Sequence, residues 1–204
     1  MTDKTKNILL GLLIVGLVSM TVAYASLTQT LQINSSAKVA SGMWSVHFKA
    51  ITSGNPVTTS GYATSTSSSL TLNDTSVTTP TVTLKAPGDS ITYLFDVIND
   101  GEIDAKLTSV TLPSVTSANV TWGNGETLSA SAKTALLNNI RVSLTYADGT
   151  ALTANTDTLP YTGSNSLRHL KLTITLDSSV TYEGLPTKDL TINGITASLI
   201  YTQV

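Results

Sequence analysis

The sequence predicts an all-β protein. The expected form is a jelly-roll-like β-sandwich of antiparallel strands with at most one or two short helices, preceded by an N-terminal hydrophobic signal helix. Three observations predict it. Apolar and polar residues alternate with period two in run after run, as in strands that bury one face. Clusters of Gly, Pro, Asn and Asp separate those runs. Serine and threonine crowd almost every segment, and threonine, stiff at χ1 because its Cβ is branched, fits a pleated surface.

The N-terminus reads as an export signal. Lys4 and Lys6 precede an apolar run from Ile8 to Val22, interrupted only by Gly11, Gly16, Ser19 and Thr21. Ala23 and Ala25 place small residues at −3 and −1 of a cleavage site before Ser26, which suits the narrow subsites of a signal peptidase. The expected division is a signal peptide over 1–25, an N-terminal strand segment over 26–36 and a sandwich domain over 37–204. The apolar run is also about long enough to span a bilayer as a retained anchor.

Leu27, Leu31 and Ile33 share one face of a first strand, with Thr28, Thr30 and Gln32 opposite. From Met43 to Ile51 the pattern places Trp44, Val46, Phe48 and Ala50 inward. Residues 52–69, rich in Ser, Thr and Gly around Pro56, read as a long surface loop. A Thr/Val strand is expected over 76–85, then a turn at Pro87-Gly88-Asp89. The clearest strand runs from Ser90 to Ile98, with Ile91, Tyr93, Phe95 and Val97 inward. Asn99-Asp100-Gly101 then suggests a hairpin into Ile103–Leu112. Val115–Trp122 reads as another strand, ended by Gly123-Asn124-Gly125.

Ser129–Asn139 is the one helical candidate, with Ser129 as its cap. Ile140–Tyr146 returns to strand, and Asp148-Gly149 signals a turn. Leu170, Leu172, Ile174 and Leu176 alternate with Lys171, Thr173 and Thr175. Ile195, Ala197, Leu199 and Tyr201 form a last inward face. A domain of this size buries about 70% of its unfolded surface, enough for a core without disulfides.

Composition excludes several classes. Charged residues are 12% of the chain and the net charge is −2, so no basic field would attract nucleic acid. The chain has no cysteine, which removes disulfides, thiol catalysis and thiolate zinc sites.

Three stretches resemble the TasA/camelysin family of secreted bacterial biofilm-matrix fibre proteins. The first is the signal peptide followed by a short strand and Ala40-Ser41-Gly42-Met43-Trp44-Ser45-Val46. The second is Leu84-Lys85-Ala86-Pro87-Gly88-Asp89, then Phe95-Asp96-Val97-Ile98-Asn99-Asp100-Gly101, then Ala105-Lys106-Leu107. The third is the C-terminal strand Ile195–Gln203. The resemblance implies a jelly-roll-like subunit that is secreted and polymerises with copies of itself into extracellular fibres. In such fibres the N-terminal strand of one subunit completes a sheet of the next, so Leu27, Leu31 and Ile33 become the assembly residues. Accessory matrix or anchoring proteins are the other expected partners, besides signal peptidase during export. Residues 26–34 also read as the first strand of their own sheet. Two other readings share the residues: a monomeric cell-surface adhesion or binding module, and a type IV-like pilin that retains its N-terminal helix.

Some camelysin-like proteins are described as metallopeptidases, but this chain has no His-Glu-x-x-His motif. Its two histidines, His47 and His169, read as surface residues. Asp100, Glu102 and Asp104 alternate like the first ligands of a calcium loop. Ala105 stands where that loop needs glycine, and Thr111 where it needs glutamate. No Gly-x-Ser-x-Gly elbow is present. Trp44 reads as core and Trp122, beside a glycine turn, as surface. No catalytic residue and no cofactor is expected.

Overall fold

A computed structural model describes residues 3–7, 10–15, 42–51, 55–163 and 166–204. Residues 3–7 and 10–15 are helical, and Leu10, Leu12, Leu13, Ile14 and Val15 are exposed. Among the described residues no helix is long and apolar enough to cross a membrane. The expected cleavage residues Ala23, Ala25 and Ser26 and the assembly residues Leu27, Leu31 and Ile33 lie outside the described residues. Ser41–Val204 forms a compact unit of its own, a β-sandwich of antiparallel strands.

The front layer is one sheet. Two ten-residue strands, β7 (Ser90–Asn99) and β12 (Leu167–Leu176), pair along its centre. Beyond β12 lies β10 (Ile140–Tyr146). Along the other edge of β7 lie β1 (Val46–Ala50) and β2 (Val57–Ser60), end to end, with Ala50 opposite Phe95 and Val57 opposite Tyr93. The alternation expected in β7 and β12 is present. Ile91, Tyr93, Phe95, Val97, Leu170, Leu172, Ile174 and Leu176 are all buried.

The back layer is two short sheets. The lower one runs β11 (Thr158–Leu159), β8 (Ala105–Thr111), β14 (Thr196–Gln203), β5 (Ser76–Thr78), β4 (Thr71–Leu72). The upper one runs β3 (Thr64–Ser65), β6 (Val82–Leu84), β13 (Leu190–Ile192), β9 (Val120–Trp122). The chain crosses between them from β3 to β4, β5 to β6, β8 to β9 and β13 to β14, and the second and last of these crossings are joined. Thr79 fastens the two crossings together: its N–H donates to the Ile195 carbonyl at 3.0 Å, and its Oγ1 accepts from the Ile195 N–H at 3.1 Å. The single Thr/Val strand expected over 76–85 is therefore two strands in different sheets, parted at Thr79-Pro80-Thr81, because proline cannot donate to a ladder.

Two hydrophobic clusters form the core. The upper one joins Ile91, Tyr93 and Ile174 of the front sheet to Val82, Leu190 and Ile192. The lower one joins Phe95, Val97 and Leu172 to Leu107, Ala197 and Leu199. Helix α1 (Ala130–Asn138) links β9 to β10 and buries Leu136 and Leu137 in the upper cluster. Ser129 caps it as expected, its side chain accepting from the Ala132 N–H at 3.2 Å.

Several expectations are corrected. Residues 52–69 are not one loop, since β2 and β3 lie within them; Ser/Thr composition conceals short exposed strands. Asn99-Asp100-Gly101 does not make a hairpin. β7 and β8 belong to different layers, and this turn is the corner between them. The buried Asn99 side chain holds the corner, donating to the carbonyls of Ile103 at 2.9 Å and Leu159 at 3.0 Å and accepting from the Gly101 N–H at 3.1 Å. A Cβ on Gly101 would fall 2.5 Å from the Met43 carbonyl oxygen, so only glycine fits. Of Val115–Trp122, only the last three residues are strand; Ser117–Asn119 is a 3-10 turn.

The Pro-Gly-Asp turn is present, and Asp89 does more than turn. It is buried, and its carboxylate accepts from the N–H groups of Tyr62 at 2.9 Å, Lys85 at 2.8 Å and Ala86 at 2.9 Å. A buried carboxylate is tolerated where several donors replace its water. Asp89 and Asn99 thus fasten the two ends of β7.

Candidate functional site

The two tryptophans exchange their expected places. Trp44 is 38% exposed, and of its strand face only Phe48 is buried while Ala50 is exposed. Trp122 packs against the upper cluster and lies under the Lys133 ammonium, 5.0 Å from its ring centroid. Period two in a short strand identifies a face. It does not say whether another layer extends far enough to cover it.

Trp44 is exposed because a seam opens there between the layers. β4 packs beside β1; below the turn Asn73-Asp74-Thr75 the covering stops among the described residues. A cleft of about 350 Å³ remains, with Trp44, Val46 and His47 on the front side and Asp74, Leu199 and Tyr201 on the back. Its walls set Trp44, Val46, Leu199 and Tyr201 beside the polar Ser45, His47, Asp74 and Thr75, a mixture that suits an extended peptide or a ring stacked on indole.

A second cleft, of about 550 Å³, lies where β10 and β12 end, lined by Tyr146, Ala147, Asp148, Leu167 and His169. His169 Nδ1 lies 2.7 Å from Asp96 Oδ1, across the β7–β12 ladder. Asp96 is buried and the His169 side chain is 67% exposed, so the pair presents an oriented imidazole at the surface. Nothing in the sequence singles out Asp96 as a partner for His169, because a single carboxylate in an apolar strand has no spacing to announce it. His47 stands 3.7 Å from Asp100.

Between the clefts lies a polar group. The Tyr146 hydroxyl donates to Asp157 Oδ2 at 2.9 Å, and burial, reinforced by that carboxylate, pushes the Tyr146 hydroxyl up to about 12. Burial also raises Tyr201, which feels both Tyr146 and Asp157. These groups are neutral phenols at physiological pH.

The calcium candidates do not gather. Asp100 faces His47, Glu102 accepts from the Met43 N–H at 3.2 Å, and Asp104 accepts from the Tyr161 N–H at 3.0 Å. Among the described residues no three Asp, Glu or His side chains are grouped to hold a metal ion.

No known protein family, curated protein or solved structure matches the chain.

Proposed function

We propose that the chain is a secreted structural subunit that polymerises into extracellular fibres, such as those of a biofilm matrix, by donor-strand exchange. In this reading signal peptidase removes 1–25, and segment 26–36 of each copy becomes a free N-terminal strand. Partners are other copies of the chain and any accessory matrix or anchoring proteins. No catalytic role is assigned to any residue.

One observation carries the reading. Among the described residues, β1 is the edge strand of the front sheet, and it borders a cleft whose other wall, Leu199 and Tyr201, belongs to the back layer. A sheet edge beside a cleft is the kind of place where an extended segment adds as a further strand. In the sequence Leu27, Leu31 and Ile33 alternate with Thr28, Thr30 and Gln32, a pattern that would give such a strand one apolar face. The TasA/camelysin resemblance supports the same reading.

The test is electron microscopy of protein starting at Ser26 beside protein starting at Ala37. Filaments from the first and monomers from the second are the expected outcome. Monomers from both, equally stable to heat, would leave the second reading, a monomeric adhesion or binding module on the same sandwich. The exposed indole of Trp44 beside Asp74 in the seam favours that second reading.

A further inference from the structure

We infer that Asn124, at the tip of the turn between β9 and α1, is a self-modification site. In the folded chain it deamidates through a succinimide to isoaspartate and aspartate, while the fold protects the chain's other Asn-Gly pair. This is independent of the fibre reading.

The chain has two Asn-Gly pairs, Asn124-Gly125 and Asn193-Gly194. Such pairs suit ring closure, because glycine has no side chain to obstruct its own nitrogen. All four residues are exposed, so exposure does not separate the pairs. Restraint does.

Asn193 is held at both its backbone and its side chain. Its N–H donates to the Asn119 carbonyl at 2.7 Å, and its Nδ2 donates to Thr121 Oγ1 at 3.1 Å. Gly194 lies against the crossing at Thr79: a Cβ there would fall 2.6 Å from the Thr79 carbonyl oxygen. Ring closure requires the asparagine side chain to swing onto the next nitrogen and the peptide between them to rotate. At Asn193 that motion breaks the side-chain bond and pushes Gly194 off the residue that joins two crossings.

The turn at Asn124 has fixed feet and a loose tip. At its feet the Gly123 N–H donates to the Asp189 carbonyl at 3.1 Å, and the Glu126 carboxylate accepts from the N–H groups of Leu128 at 2.8 Å and Lys188 at 3.0 Å. Across the tip runs one bond, from the Glu126 N–H to the Gly123 carbonyl at 3.1 Å. Among the described residues, neither the Asn124 side chain nor the Gly125 N–H makes a hydrogen bond. Gly125 has φ +80°, as the third position of a glycine turn requires, and a Cβ there would meet nothing nearer than Lys188 Cε at 3.9 Å. The tip can rotate while its feet stay in place, which is local opening without unfolding.

The chemistry needs only water. The Gly125 nitrogen gives its proton to solvent base and attacks Asn124 Cγ. The N–Cγ bond forms, the Cγ–Nδ2 bond breaks, and Nδ2 takes up a proton and leaves as ammonia. Water then opens the ring. Breaking the new N–Cγ bond yields aspartate; breaking the original peptide bond yields isoaspartate, with one more carbon in the main chain. Either product adds one negative charge to a chain whose net charge is −2. The step does not reverse in water, so the modified fraction rises with the age of the folded chain.

The test holds the full folded chain in mildly alkaline buffer made with heavy-oxygen water, then digests it in ordinary water and weighs the peptides. Heavy oxygen is expected at Asn124 in about tenfold excess over Asn193, because the Asn193 hydrogen bonds and packing must give way first. The same incubation in urea should bring the two sites to similar rates. Labelling by an isoaspartate-specific methyltransferase should appear in the folded chain and disappear in Asn124→Gln, whose longer side chain closes a larger ring slowly. Equal incorporation at the two sites in the folded chain, or none at Asn124, overturns the inference. An equally large excess in urea overturns the role of the fold, and methyl labelling that persists in Asn124→Gln overturns the site.

Discussion

At the upper end of β7, Ile91 and Tyr93 are covered by the upper back sheet and by α1, whose Leu136 and Leu137 join the same cluster. At the lower end, Phe95 and Val97 are buried just as completely. There, however, the back sheet stops short of β1 and leaves Trp44 exposed. Equal burial of the centre thus coexists with unequal closure of the rim. Apolar burial stabilises the fold wherever it occurs, whereas an unfinished rim leaves backbone groups available to a partner. Under the proposed function, the upper half is scaffold and the lower half is where other molecules would be met.

The strongest way to break this comparison is in the centre. Tyr93→Ala above and Phe95→Ala below should each cost about 3–5 kcal/mol, the usual range for a buried aromatic. Phe95 also loses its edge-on contact with Phe48, at 5.7 Å between centroids. Urea unfolding would check both; a loss below about 1 kcal/mol for Phe95→Ala would mean that the lower core is not packed like the upper one.

The corners come next. Asp89→Ala strands three N–H groups, and a buried donor without a partner costs about 1–3 kcal/mol. We expect a loss of that order for the variant, since water can reach some of the freed groups. A neutral result would show that the turn holds itself without the carboxylate.

Tyr146→Phe sharpens the lower half through pH. The folded Tyr146 hydroxyl titrates at about 12, above its ordinary 10.0. A raised folded value means that its contribution is whole below pH 10 and fades as pH climbs from 10 towards 12. The phenylalanine variant should lose about 1 kcal/mol at neutral pH and show a shallower alkaline decline, not a flat one, because burial also raises Tyr201 and Tyr93 above the ordinary phenol value. An unchanged slope in thermal melts between pH 9 and 11 would refute the assignment.

The smallest expected effect on stability is at the rim. Trp44→Ala should change it by less than about 0.5 kcal/mol, while filament formation falls sharply. Normal assembly by that variant, seen by electron microscopy, would remove Trp44 from the contact surface.

The long strands were legible because period two persisted over ten residues in β7 and β12, and the helix because Ser129 and the Ala/Leu run agreed. The sheet partners were not legible. Alternation says which face is inward, and Asn-Asp-Gly says that the chain turns, but neither says whether the next strand pairs or crosses to the other layer. That depends on Asn99 reaching Leu159, sixty residues away. The seam was hidden for the same reason, being assembled from residues near 44, 74 and 200 that have no local signature together.

β7 and β12 each run through both hydrophobic clusters, so neither cluster can open without breaking the strands that hold the other. A protease searching such a molecule finds few half-opened states to cut. Degradation then depends on rare whole-molecule opening; under the fibre reading proposed above, a subunit outside the cell would survive by being difficult to start digesting rather than by being hard at every point.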